Sequence, residues 1–83
     1  MYYLYIIKCA DKTLYTGIAK DVNKRVIEHN TSDLGAKYTK VRRPVKLVYT
    51  KRFRSRSTAM KAEAKIKKLS RAEKLELIKT VKL

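Results

Sequence analysis

The chain begins with an apolar run, Tyr2 to Cys9, rich in aromatic and β-branched residues and ending before the polar pair Asp11-Lys12. A second short run, Leu14-Tyr15-Thr16-Gly17-Ile18, follows at once. Two such runs around a tight polar turn predict a β-hairpin. The first run is apolar at odd and even positions alike, which predicts a central strand covered by helices on one or both faces. Beyond Asp21, an acceptable N-cap, Val22, Val26 and His29 recur at helical spacing, so a helix is expected through Asn30. Thr31 to Pro44 has no clear period; with Gly35, Lys37, Lys40, Arg42 and Arg43 it reads as a basic loop able to hold a short helical turn. Val45 to Tyr49 predicts a third strand after Pro44. Ser55 or Ser57 can cap a long helix with the stripe Ala59, Ala62, Ile66 and Leu69. Ser70-Arg71-Ala72-Glu73 has capping-box spacing for a last helix carrying Leu75 and Ile78 inward. The expected order is ββαβαα, an α+β fold in which a three-stranded antiparallel sheet is flanked by helices. No repeat, linker or low-complexity segment divides the 83 residues, so residues 1–83 are expected to form a single domain.

Composition changes the picture in one respect. Hydrophobic residues make up 45% of the chain, enough for a folded globule, yet 22 Lys and Arg face only 7 Asp and Glu. A formal net charge of +15 makes the surface potential positive almost everywhere and selects polyanions as partners, nucleic acid first. No segment reads as a long basic amphipathic helix with Trp and Phe on its apolar face, so a membrane surface is not the expected partner. The N-terminal run is too short to span a bilayer and lacks the pattern of a signal peptide. Cys9 is the only cysteine and has no disulfide partner within the chain; it is expected to be a buried hydrophobe in a reducing, cytoplasmic setting.

Candidate chemistry concentrates in Tyr5, Tyr15, Arg25, His29 and Glu63. Side chains alternate along strands, so the two phenols share a face only if the hairpin loop is odd-numbered. A three-residue loop, Ala10-Asp11-Lys12, pairs Cys9 with Thr13, Ile7 with Tyr15 and Tyr5 with Gly17. Gly17 is then expected to leave space beside the Tyr5 ring for a substrate phosphate. Arg25 and His29 stand four apart, with His29 on the stripe facing the sheet and Arg25 beside it. Arginine suits bidentate phosphate contact, and a histidine can take or orient a proton near neutral pH. Glu63 is the first acid after Asp33 and projects beside Ala59 and Ile66; a carboxylate there needs a partner, and Mg²⁺ shared with a phosphate is a candidate. There is no second Cys or His for zinc, no glycine-rich phosphate loop and no serine nucleophile elbow.

These residues resemble the GIY-YIG nuclease domain, above all its small stand-alone bacterial (YhbQ-like) group. Tyr3-Leu4-Tyr5 stands where that family has Gly-Ile-Tyr and keeps only the Tyr, and Tyr15-Thr16-Gly17 stands for Tyr-Ile-Gly. Asp21 to Arg25 with His29 resembles the following helix, and Glu63 stands where the family carries its metal-binding Glu. Many active members also have a late Asn, whereas this chain has none after Asn30. The resemblance implies hydrolysis of DNA phosphodiesters with Mg²⁺ or Mn²⁺ at Glu63. Arg25 would stabilise phosphate charge, and Tyr5 would orient or deprotonate water with Tyr15 and His29 assisting. For Tyr5 to act as a base from its ordinary pKa of about 10, its surroundings must be strongly positive, as the net charge leads one to expect. Lys37, Lys40, Arg42 and Arg43 are expected to contact nucleic acid, DNA ahead of RNA, with the chain acting as a monomer. The alternative reading is a non-catalytic module that binds DNA or RNA and uses the site for phosphate contact alone.

Overall fold

The structure is a computed structural model that describes residues 1–31 and 37–80; Gly35 and the part of the basic loop around it lie outside the described residues. Strand β1 (Tyr2–Lys8) lies in the middle of a three-stranded sheet of order β2-β1-β3, antiparallel to β2 (Leu14–Ala19) on one side and to β3 (Lys46–Phe53) on the other. Its central position explains its apolar character on both faces, since Leu4, Ile6 and Ile7 are all fully buried. Each such side chain contributes about 1.5–3 kcal/mol by leaving water. The hairpin has the odd loop expected. Tyr5 faces Gly17 and Ile7 faces Tyr15 across the pair, and the Cys9 amide donates to the Thr13 carbonyl at 2.8 Å. Lys12 takes φ 68, the left-handed residue that a three-residue hairpin loop requires at its last position.

Helix α1 (Val22–Thr31) packs on one face of the sheet, where Tyr5, Ile7, Cys9, Val22 and Val45 form a buried cluster. The other face carries Leu4, Ile6 and Tyr49 against Ala62, Ile66, Leu77 and Ile78 of helices α3 (Arg56–Lys67) and α4 (Arg71–Lys79). One helical turn, α2 (Lys37–Lys40), stands in the basic segment. Ser55 is the N-cap of α3, and Ser70 with Glu73 makes the capping box of α4.

Two expectations need correction. Strand β3 runs four residues past Tyr49, pairing Arg52 with Tyr3 and Phe53 with Tyr2. Its basic residues look like a loop in sequence, but an edge strand tolerates and even favours charge. A bulge at Val48 breaks the alternation, so Leu47 packs on the α1 side while Tyr49 packs on the α3 side. In α4, Leu77 joins Ile78 against the sheet while Leu75 stays exposed, because the packed face lies further along the helix than the capping box alone indicates.

Thr16 is 4% exposed and its hydroxyl has no hydrogen-bond partner among the described residues. Burying an unpaired hydroxyl costs about 1–3 kcal/mol. Thr16→Val keeps the shape and the strand preference, and should raise stability by about 1 kcal/mol. A melting experiment should therefore show an increase of roughly 4–8 °C for a domain of this size.

Candidate active site

The hairpin register brings Tyr5, Tyr15 and Gly17 onto one face of the sheet, and α1 crosses that face. Helix α3 approaches from the opposite face, and its residues at i, i+4 and i+7 reach around edge strand β2. A cleft of about 490 Å³ opens there, lined by Tyr5, Tyr15 and Gly17, by Arg25 of α1, and by Arg56, Met60 and Glu63 of α3. Four of the five singled-out residues therefore converge from four different elements. Among the described residues, Glu63 is the only carboxylate that lines the cleft.

His29 is the exception. It is fully buried behind the cleft wall, its Nε2 2.8 Å from the Tyr5 hydroxyl and its Nδ1 2.9 Å from the Thr39 hydroxyl. It touches Tyr5 and not the open space. Burial, assisted by the cations of Arg25 and Arg43, holds its pKa below 6.5, so the imidazole is neutral at pH 7. Tyr15 sits edge-on to the same imidazole with ring centroids 5.3 Å apart, and stacks on Tyr38 on its other side.

The expectation that positive surroundings ready the Tyr5 phenol to act as a base is not met. Burial pushes its pKa up to about 12, against the opposing pull of the Arg25 guanidinium within hydrogen-bonding reach. The long-range positive potential is screened by water, whereas desolvation of a ring that is 1% exposed acts directly on the charged form. Tyr5 is a neutral phenol at physiological pH. Its pKa is higher in the folded than in the unfolded chain, so the associated stability is complete below pH 10 and is lost as pH rises through 12. By pH 11 the loss should be about 1 kcal/mol, and Tyr5→Phe should remove it. Urea midpoints at pH 9 and pH 11 for both proteins test this.

Gly17 also has a different job from the one expected. A Cβ at this position would lie 2.5 Å from the Tyr5 hydroxyl oxygen and 2.6 Å from Cζ. The missing side chain makes room for the phenol itself, and Gly17 still lines the cleft. Arg25 is held by Glu28, Nη1 to Oε1 3.1 Å, which fixes the guanidinium at the cleft wall. The Glu63 carboxylate, with its side chain 23% exposed, is 3.5 Å from Lys67 Nζ, so its helix supplies one cationic partner.

Of the four cations expected to meet nucleic acid, Arg42 and Arg43 make identifiable contacts within the protein. Arg42 pairs with Asp11 at 3.0 Å, donates to the Tyr38 carbonyl and lies 4.0 Å over the Tyr38 ring. Arg43 Nε donates to the His29 carbonyl, while Lys37 and Lys40 are exposed. Sequence reasoning missed Lys20 and Arg56, which line the cleft beside Tyr2 and Met60. The seven-residue spacing of Arg56 and Glu63 was a usable signal, since it places both on one helical face. Thr39 carried none, because its segment has no period.

A family model described as the GIY-YIG catalytic domain matches residues 1–76. A UPF0213 protein of Syntrophus aciditrophicus is 60% identical over 77 residues, covering 93% of this chain and 88% of the relative. A UPF0213 protein of Staphylococcus saprophyticus is 57% identical with 93% of each chain covered. Among solved structures, the solution NMR structure of a UPF0213 protein of Bacillus halodurans is similar at 43% identity and TM-score 0.62, covering 96% of this chain and 85% of that one. The solution NMR structure of an E. faecalis protein is similar at 41% identity and TM-score 0.64, covering 95% and 83%. With the strand order, the paired tyrosines, and the Arg and Glu on flanking helices already in view, the match over nearly the whole chain has a clear meaning: this protein belongs to the GIY-YIG catalytic domain family.

Proposed function

We propose that the protein is a divalent-metal-dependent nuclease that hydrolyses phosphodiester bonds of DNA. The observation that carries this reading is the convergence of Tyr5, Tyr15, Arg25 and Glu63 on one cleft of a chain with net charge +15. In this reading a backbone phosphate lies between Arg25 and Glu63. Arg25, pre-set by Glu28, donates to the phosphoryl oxygens and stabilises the charge that builds there in the transition state. The neutral Tyr5 phenol, seated against Gly17 and hydrogen-bonded through its hydroxyl to His29, orients the attacking water and does not need to ionise. Tyr15 walls the same space.

The residues present fit a hard cation of limited protein ligation. Among the described residues Glu63 is the one carboxylate lining the cleft, it is partly exposed, and no cluster of three or more His, Cys, Asp or Glu is found. Such a donor set suits Mg²⁺ or Mn²⁺, whose remaining ligands are water and phosphate oxygens. Bound at Glu63, the ion would supply Lewis-acid polarisation of the phosphate and stabilisation of the leaving oxygen. Lys67 must release Glu63 for this to occur, an exchange that an exposed ion pair permits at small cost.

Incubating the pure protein with Mn²⁺ or Mg²⁺ and single- or double-stranded DNA and RNA tests the proposal; cleavage of DNA that EDTA abolishes is the expected result. The solitary carboxylate also favours a second reading, a module that grips phosphate without cutting it. Absence of cleavage on every substrate, with binding retained, would select that reading. In both cases affinity should fall steeply with salt. With roughly 4–6 phosphates neutralised, log K against log salt should have a slope of about −3 to −5. Salt-independent binding would remove the electrostatic basis of both readings.

A further inference from the structure

Helix α3 presents two opposite flanks. At about 100° per residue, Arg56, Met60 and Glu63 point together into the cleft, while Thr58, Lys61, Ala62 and Lys65 point to the far side. There they wall a second depression of about 460 Å³ above β1 and β3. Its floor is apolar and partly aromatic, made by Leu4, Tyr49, Phe53, Ile66 and Leu77. Its rim carries Lys51, Lys61 and Lys65, and no carboxylate lines it among the described residues. Tyr49 is 6% exposed, and its hydroxyl makes no hydrogen bond to any described residue. The depression thus combines an apolar floor, a cationic rim and one phenol hydroxyl that is not bonded to a described residue.

We propose that this depression is a second nucleic-acid subsite, which takes one unstacked nucleobase while Lys51, Lys61 and Lys65 hold the neighbouring phosphates. The proposal rests on the nucleic-acid reading of the cleft and extends it to the other side of α3. Charge complementarity selects the occupant: three ammonium groups around an apolar hollow match a flat apolar ring flanked by anions. The half-buried Phe53 ring, with the Lys51 ammonium 5.7 Å from its centroid, is the surface for base stacking, which is tolerant of base identity. The buried Tyr49 completes the apolar floor. The Tyr49 hydroxyl can meet a polar edge of the base, a contact that an alkyl chain could not use. The two sites are linked by the outer surface of the helix, where exposed Ser57 and Ala64 form a low ridge about 10–12 Å across. A strand bound in the cleft can cross the helix over Ser57 and Ala64, with the exposed Lys61 and Lys68 beside its path.

The test is a metal-free fluorescence-anisotropy titration with a labelled oligodeoxythymidylate strand, repeated with one abasic residue moved stepwise along it. At one position the abasic strand should bind the wild-type protein about tenfold more weakly. Phe53→Leu, which keeps an apolar floor without the stacking face, should weaken the intact strand by a similar factor and abolish the sensitivity to that abasic position. The double variant Lys61→Ala/Lys65→Ala alters only exposed side chains, so it tests the proposal even if Phe53→Leu folds poorly. It should make the log–log salt slope shallower by about 1 to 1.5. If the wild type binds the strand and Arg25→Ala weakens it, but no abasic position couples to Phe53 and the lysine pair leaves the slope unchanged, the second subsite is refuted and the cleft reading stands. If the wild-type protein binds no strand at all, both fall together.

Discussion

Glu63→Ala should lower metal-dependent cleavage by about 10²–10³ and leave metal-free binding of the same DNA intact or slightly stronger. The asymmetry follows from the site. Glu63 is the only carboxylate lining the cleft among the described residues, so its removal takes away the anionic ligand proposed for the cation. Loss of one group that stabilises developing charge typically costs about 3–4 kcal/mol in the transition state. Binding without metal depends instead on Arg25, Lys20, Arg56 and the general positive field, all of which the variant keeps. It also releases Lys67 from its 3.5 Å contact, adding a cation beside the phosphate. The helix itself should tolerate the change, since a partly exposed i,i+4 pair contributes little to stability. Initial rates of plasmid nicking in Mn²⁺, set beside anisotropy titrations in EDTA, measure the two properties separately. A variant that cuts at the wild-type rate would remove Glu63 from the chemistry.

Gly17→Ala should destabilise the fold by about 2–3 kcal/mol and impair the site at the same time. The new methyl would approach the Tyr5 hydroxyl oxygen to 2.5 Å and Cζ to 2.6 Å. A flexible side chain could move aside, but this ring is 1% exposed, packed in the core beneath α1, and held by His29 at 2.8 Å. Either the ring rotates away and loses that hydrogen bond, or β2 shifts from β1; overpacking of this kind costs about 1–3 kcal/mol before the lost bond is added. The melting temperature should fall by roughly 10–20 °C. Adding Tyr5→Phe removes the closest contact, so the double variant should be less destabilised than the sum of the two single changes.

Much of this arrangement is legible in the chain because it rests on period and turn length. An odd loop and a period of two are enough to set Tyr5 opposite Gly17 and both phenols on one face, and a period of 3.6 puts His29 on the buried side of α1. What those periods cannot encode is which surface arrives opposite. His29 is recognisable as inward-facing, yet its partner Thr39 comes from a segment without pattern. The state of Tyr5 is illegible for a related reason: net charge is a property of the whole composition, while its pKa answers to the few ångströms of desolvated surroundings. The bulge at Val48 is invisible too, because a single inserted residue inverts the facing of Tyr49 without disturbing the apolar run.

The placement of Glu63 bears on when the site comes into being. Tyr5, Tyr15 and Arg25 all lie in the first third of the chain, on a hairpin and the helix after it, whereas the carboxylate belongs to α3, beyond the last strand. Strand β3 must pair with β1 across about forty intervening residues before α3 has a surface to dock on. A chain still emerging from the ribosome thus contains Tyr5, Tyr15 and Arg25, the residues proposed to grip phosphate, well before the carboxylate. Surrounded by ribosomal RNA, a strongly basic polypeptide can adhere during its own synthesis, but in the proposed chemistry it acquires a metal ligand only when nearly complete.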